Sequence, residues 1–273
     1  MNVTVLLVIH NAEMYIEECI NSVLLQSLKD FELLIIDDGS NDETINILRK
    51  YKDKRIRIIS NSHDYISSLN LGLNESRGKY IARMDGDDIM EHTRLEKQIK
   101  IMESNADLTV CASWMKCFGL CDMNIDSYKG LIEIPLYQMI LGNIISHPTT
   151  MIKRDFIRKN NIYYKNYPCA EDYKLWSDIA INNGSFYVIP EYLLYYRCSN
   201  DQISNKKKLI QEKSTIKIQK EIIQHILNKE NNLEALQVYN RLLEIYDNGL
   251  LSFKTLRNNI YEILVNRYLR TTY

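Results

Sequence analysis

Four short, mostly apolar runs, at positions 4–9, 31–36, 56–59 and 80–84, constrain the fold of this chain more than any other feature. Each has the length of a strand, and near-continuous apolar character suits strands buried on both faces. Between the first two, Ile16, Ile20, Val23 and Leu24 recur at helical spacing, and Thr44, Ile45, Ile47 and Leu48 do so between the second and third. Strands alternating with helices in this order require right-handed crossovers and a mainly parallel, Rossmann-like sheet flanked by helices. Such α/β sheets bind ligands outside the carboxyl ends of their strands.

Two of the predicted strands end in acid at that edge. One runs into Asp37-Asp38-Gly39-Ser40-Asn41-Asp42, the other into Asp85-Gly86-Asp87-Asp88. Crowded carboxylates raise one another's pKa unless a cation sits among them. Mg²⁺ or Mn²⁺ commonly bridges one or two protein carboxylates to a substrate diphosphate. Asp and Gly also favour plain solvated turns. Two acidic strand ends on one edge favour a shared ligand. The loop after the first strand reads His10-Asn11-Ala12-Glu13. It has no G-x-G-x-x-G, which excludes a dinucleotide-binding dehydrogenase, and it is not the Gly-rich, Arg-containing loop of a sugar-nucleotide pyrophosphorylase.

Charge divides the chain. The segment from Asn205 onward carries 12 Lys and Arg against 7 Asp and Glu, and the remainder 22 against 28, for a net charge of −1. That balance gives no footprint of a nucleic-acid binder. The acidic part, 1–204, reads as one catalytic-type domain, with 1–100 binding a nucleotide and 101–204 facing an acceptor. Strands are expected at 108–114, 186–189 and 193–196, and a strand with its loop at 130–135. Residues 146–151 read as a short strand with Pro148 near its start, suiting an edge or the first position of a strand. Glu171-Asp172 opens a predicted helix. Segment 205–273 reads as a helical extension, with apolar faces through Ile216, Ile222, Ile223, Ile226 and Leu227, through Leu236, Tyr239, Leu243 and Tyr246, and through Leu256, Ile260, Ile263 and Leu264. The six cysteines are expected as reduced, mostly buried thiols of a cytoplasmic protein. Cys117 and Cys121 lack the second spaced pair of a zinc site. The first apolar run is too short for a signal peptide, and none is long enough to span a bilayer.

On three segments, Ile36-Asp37-Asp38-Gly39-Ser40, Ile81-Ala82-Arg83-Met84-Asp85-Gly86-Asp87-Asp88 and Ala170-Glu171-Asp172-Tyr173-Lys174-Leu175-Trp176, the chain resembles inverting family 2 glycosyltransferases of the GT-A fold. The resemblance covers 3–44, 70–98 and roughly 146–204. It implies transfer of a sugar from a nucleotide diphosphate sugar, UDP-linked above all, to an acceptor hydroxyl with inversion. The family-level setting is bacterial surface polysaccharide: capsule, lipopolysaccharide or exopolysaccharide. It assigns Asp87 as the principal ligand of Mn²⁺ or Mg²⁺, Asp85 to the metal or ribose, and Asp38 to the nucleobase. His10, Asn11, Glu13 and Arg83 fall on the nucleotide side, and Arg197 on the diphosphate. Asp172 becomes the general base, since inversion needs one base opposite the leaving group. Glu171, Trp176 and His147 fall in the acceptor and sugar pocket. Structural roles compete: Asp37 as a turn cap, Asp88 as a helix cap, and Glu171 and Asp172 as acids favoured by a helix dipole.

The chain departs from the family at Val8 and His10, where Pro and Tyr are usual, and at Ser199, where a His two residues beyond Arg197 is common. A non-catalytic nucleotide-sugar-binding module of the same fold is the rival reading. Implied partners are the donor and a saccharide or lipid-linked saccharide acceptor. For the extension, docking on the catalytic domain, peripheral contact with an anionic cytoplasmic membrane and homodimerisation all stay open.

Overall fold

The structure is a computed structural model that describes residues 1–126, 128–199, 207–231 and 233–272, the last six of these as backbone only. The first half alternates as expected: β1 (Val3–Ile9), α1 (Ile16–Leu24), β2 (Phe31–Asp37), α2 (Thr44–Leu48), β3 (Ile56–Ser60), α3 (Tyr65–Glu75) and β4 (Tyr80–Met84). It continues through β5 (Ile89–Met90), α4 (Arg94–Ser104), β6 (Leu108–Gly119), β7 (Asn124–Ile125), β8 (Gly130–Leu131) and α5 (Pro135–Gln138). Then come β9 (Met151–Lys153), α6 (Arg154–Lys159), α7 (Glu171–Ile181) and β10 (Ser185–Cys198). Three helices close the chain: α8 (Lys208–Lys229), α9 (Leu233–Asp247) and α10 (Phe253–Thr272).

One mixed sheet runs in the order β3-β2-β1-β4-β9-β6-β10-β5. The pairs β3/β2, β2/β1, β1/β4 and β6/β10 are parallel, and β9 runs antiparallel to both its neighbours. Alternate residues of β1 and β2 enter opposite cores, Val5, Leu7, Leu33 and Ile35 on one side and Leu6, Val8, Leu34 and Ile36 on the other. Period-two side chains that are apolar on both faces explain why these strands read as unbroken apolar runs.

Several expectations need correction. Residues 186–189 and 193–196 are not two strands but parts of β10, which bends through register shifts against β6. Pro148 sits in a 3-10 turn (His147–Thr149), and β9 lies inside the sheet, so it is no edge strand. The turn keeps the proline, which has no N–H, out of the ladder. Cys121 and Cys198 form a disulfide with Cα atoms 5.8 Å apart, where reduced thiols were expected. The parallel pairing of β6 and β10 brings Cys198 opposite Gly119, and so delivers the second cysteine across 77 residues. The sulfur atoms of Cys117, Cys121 and Cys198 all lie within 4.8 Å of one another. In the extension Ile218, Ile222, Ile223, Ile226 and Leu227 join the apolar cluster that holds Trp176 and Ile179, so α8 docks on α7. Leu256, Ile260 and Leu264 are buried as predicted, but Ile263 is 37% exposed. Residues 200–206, which end the Arg197 motif and include Lys206, lie outside the described residues. No helix among the described residues is long and apolar enough to cross a membrane.

Candidate active site

The loops after β1 and β2 are built as one clasp. Asp38 N–H donates to Ile9 O at 2.8 Å. Asn11, at φ +51°, donates its side-chain amide to Asn41 Oδ1 and accepts from Asn41 N–H, both at 2.9 Å. Asn and Asp tolerate this left-handed conformation better than most residues. Glu13 Oε2 accepts from Glu43 N–H at 2.8 Å, so its carboxylate holds the second loop and does not line the cleft. Asp38 is likewise turned inward, its Oδ1 accepting from Asp64 N–H at 2.8 Å and Ser68 Oγ at 2.7 Å. Above it the rings of His10 and His63 stack 4.2 Å apart, each Nδ1 near Asp38 O. Asp37 caps the turn through Ser40 N–H.

β4 carries the second acidic loop. Arg83 is 3% exposed, ion-pairs with Asp85 and donates through Nη2 to Tyr65 OH at 3.1 Å. Its Nε has no hydrogen-bond partner among the described residues. Gly86 lets the loop cross Ile9 closely, since a Cβ there would stand 2.6 Å from Ile9 Cγ2. Burial, and then the charge of Asp85, push Asp87 up to about 6. Asp88 is fully buried, and its Oδ1 accepts the Arg197 N–H at 3.0 Å. It therefore ties the loop to β10 instead of capping a helix. Arg197 was expected against the diphosphate; its guanidinium instead donates to Asp87 O at 2.8 Å, pairs with Glu18 and lies 4.4 Å from the rings of Tyr15 and Phe118.

A further acidic group is set by α7. Glu171 and Asp172 form its first turn, where the helix dipole favours acid. Asp172 Oδ2 accepts from Asn143 Nδ2 at 3.0 Å and Oδ1 from Tyr173 N–H at 2.6 Å. Burial raises the Asp172 carboxyl and these two donors oppose the rise. Burial, and then the Asp172 charge, lift Glu171 to about 7. His147 is buried with Nε2 2.7 Å from Tyr164 OH, and desolvation, aided by Arg83, holds its pKa well below the usual histidine value, leaving it neutral. Trp176 was expected in the sugar pocket. It is instead fully buried in the core, its ring 5.8 Å from that of His147.

These groups meet in one cleft of about 880 Å³, lined by His10, Asn11, Arg83, Asp85 and Asp87 together with His147, Glu171 and Asp172. Sequence reasoning missed Tyr65, Asn143 and Gln211, which also line it. None lies in a recognisable motif, and Gln211 comes from the extension.

The glycosyl transferase family 2 model matches residues 4–166. An uncharacterized glycosyltransferase of Haemophilus influenzae is 34% identical over 280 residues, covering 97% of this chain and 86% of that protein. TuaG of Bacillus subtilis, a glycosyltransferase named for teichuronic acid biosynthesis, is 31% identical over 207 residues, covering 72% of this chain and 79% of TuaG. Among solved structures, S. aureus TarS in complex with UDP-GlcNAc superposes with a TM-score of 0.69 at 20% identity, covering 84% of this chain and 67% of that one.

Proposed function

The chain belongs to glycosyl transferase family 2 and has its GT-A fold; on that premise we propose that it transfers a sugar from a UDP-sugar to an acceptor hydroxyl with inversion, in bacterial surface polysaccharide synthesis. One observation carries this reading: the acidic loop at the end of β4 and the carboxylate pair opening α7 face the same cleft. A diphosphate at one end and an acceptor at the other would meet between them. The structure of TarS with UDP-GlcNAc supports a UDP-sugar donor, and TuaG supports a polysaccharide product.

The donor end fits a divalent cation. Asp87 is half-buried, with its pKa raised by burial and Asp85, an arrangement that a bound cation reverses. Asp87 would hold the metal with Asp85, and Mn²⁺ or Mg²⁺ there would supply Lewis-acid stabilisation of the diphosphate. Arg83 brings a spare Nε donor to the same end. Asp38, Asn11 and Glu13 shape the nucleoside end by holding its two loops together, with His10 forming its surface.

At the other end Asp172 accepts the proton of the acceptor hydroxyl. Asn143 and the Tyr173 N–H orient its two oxygens. Neutral His147 keeps a second positive charge away from the buried Arg83. Glu171, near neutrality in its pKa, is suited to accept from or donate to the acceptor's other hydroxyls. Exposed Lys207, Lys208 and Lys213 support peripheral contact with an anionic membrane, where a lipid-linked acceptor would reside.

The test is a thermal-shift and turnover panel of UDP-, GDP- and dTDP-sugars with and without Mn²⁺. A bound donor raises the midpoint by mass action, and the expected result is a metal-dependent rise with UDP-sugars. Donor binding without any hydrolysis or transfer across an acceptor panel would favour the rival binding module.

A further inference from the structure

We propose that the C-terminal extension forms a wall of the cleft, and that Gln211 and Ser214 of α8 are positioning residues for Asp172. The inference rests on the reading of Asp172 as the base. Asp172 is presented by turn 165–170, which leads directly into α7. That turn holds Cys169 at φ +61°, in the left-handed region that disfavours residues with a Cβ. Its own backbone bonds, Tyr167 N–H to Lys165 O and Ala170 N–H to Tyr167 O, do not use the carbonyls of Pro168 and Cys169. Both are taken by α8: Ser214 Oγ donates to Pro168 O at 2.9 Å, and Gln211 Nε2 to Cys169 O at 3.0 Å.

The same face of α8 continues the attachment. Gln211, Ser214, Ile218 and Glu221 are spaced 3, 4 and 3 residues apart, one stripe of a helix. Ile218 is fully buried in the core beside α7. Glu221 accepts from Tyr167 OH at 2.6 Å and pairs with Lys174 of α7 at 2.9 Å, while Lys174 also pairs with Asp178. Lys217 stands 4.5 Å over the Tyr167 ring. The turn is thus gripped from outside along its length. Gln211 also lines the cleft beside Glu171 and Asp172, so α8 is both a brace and a surface that the acceptor meets. The match to the family model ends at residue 166, within this turn and before the carbonyls of Pro168 and Cys169, so the brace lies beyond the matched segment.

The experiment compares the intact chain with Gln211→Ala/Ser214→Ala and with the conservative Ser214→Thr. Three quantities are read: donor affinity by calorimetry, kcat for transfer, and hydrogen exchange of the amides at 167–173. The double variant is expected to keep donor affinity within twofold, lose about tenfold in kcat and exchange faster at 167–173, while Ser214→Thr retains both kcat and protection. Gln211→Ala alone, a change at a partly exposed position, serves if the double variant does not fold, with a threefold loss expected. Unchanged kcat or unchanged exchange in a folded variant overturns the proposal. Asp172→Asn run alongside separates the two claims. If it transfers normally while the double variant does not, Asp172 is not the base and α8 still shapes the site.

Discussion

Asp172→Asn separates chemistry from stability at one atom. Asn is nearly isosteric, so Oδ1 can still accept the Tyr173 N–H that stands at 2.6 Å. The other position becomes an NH₂ facing Asn143 Nδ2, now 3.0 Å from Oδ2. Turning the Asn143 amide restores that bond but gives up its weak 3.4 Å acceptance from Ile145 N–H. The net structural loss is one neutral hydrogen bond, about 1 kcal/mol. It is offset by removing a charge that burial disfavours. The chemical loss is larger, because an amide cannot take the proton. General-base removal costs about 10²- to 10⁴-fold in rate, or about 3–5 kcal/mol of barrier. The expected variant therefore melts within a few degrees of wild type, binds UDP normally by calorimetry and transfers at least 100-fold more slowly in single turnover. Turnover within tenfold of wild type, with donor binding intact, would refute the assignment.

Three further outcomes follow from the same geometry. Asp87→Ala should abolish Mn²⁺-stimulated UDP binding while leaving far-UV circular dichroism unchanged, and an unaltered calorimetric affinity in saturating Mn²⁺ would count against the metal site. Glu171 has a folded pKa raised from 4.5 to about 7, so its ionisation costs the folded state stability as pH rises from the unfolded value through about 7. Denaturant unfolding of the metal-free protein should thus show Glu171→Gln gaining on wild type between pH 4.5 and about 7 and keeping a constant lead above, and a lead independent of pH would contradict it. Lys207, Lys208 and Lys213, at about 1 kcal/mol each near an anionic surface, should give salt-sensitive co-sedimentation with anionic but not neutral vesicles. The response should vanish when 206–208 are changed to Gln.

Much of the fold was legible because it is local. Strands buried on both faces must be apolar throughout, so β1, β2 and β4 announce themselves within seven residues or fewer. The start of α7 was visible in Glu171-Asp172, since acid at a helix N-terminus has a dipole reason to be there. β10 was misread because its bend interrupts the apolar pattern at Pro190 and Glu191, which looks like a turn when no partner strand is known. Trp176 was misplaced for the opposite reason: a large aromatic residue beside an acidic pair suits a pocket or a core equally. Only the packing of α8 and the 3-10 turn around α7 put it in the core.

The sequence by itself therefore determined that β1 to β4 are strands, that two of them end in carboxylates on one edge, and that an acidic pair opens a helix beyond them. Tertiary structure alone decided what those carboxylates touch. Asp88 is bound by Arg197 across 109 residues, Lys174 by Glu221 across 47, and Cys121 is joined to Cys198 across 77. Periodicity records that a face is apolar or charged, because that depends on the residue's own helix or strand. It does not record which distant surface covers that face, because this follows from how the whole sheet and its helices close together. For that reason the acids of the cleft could be read in advance, whereas the brace that α8 places behind them could not.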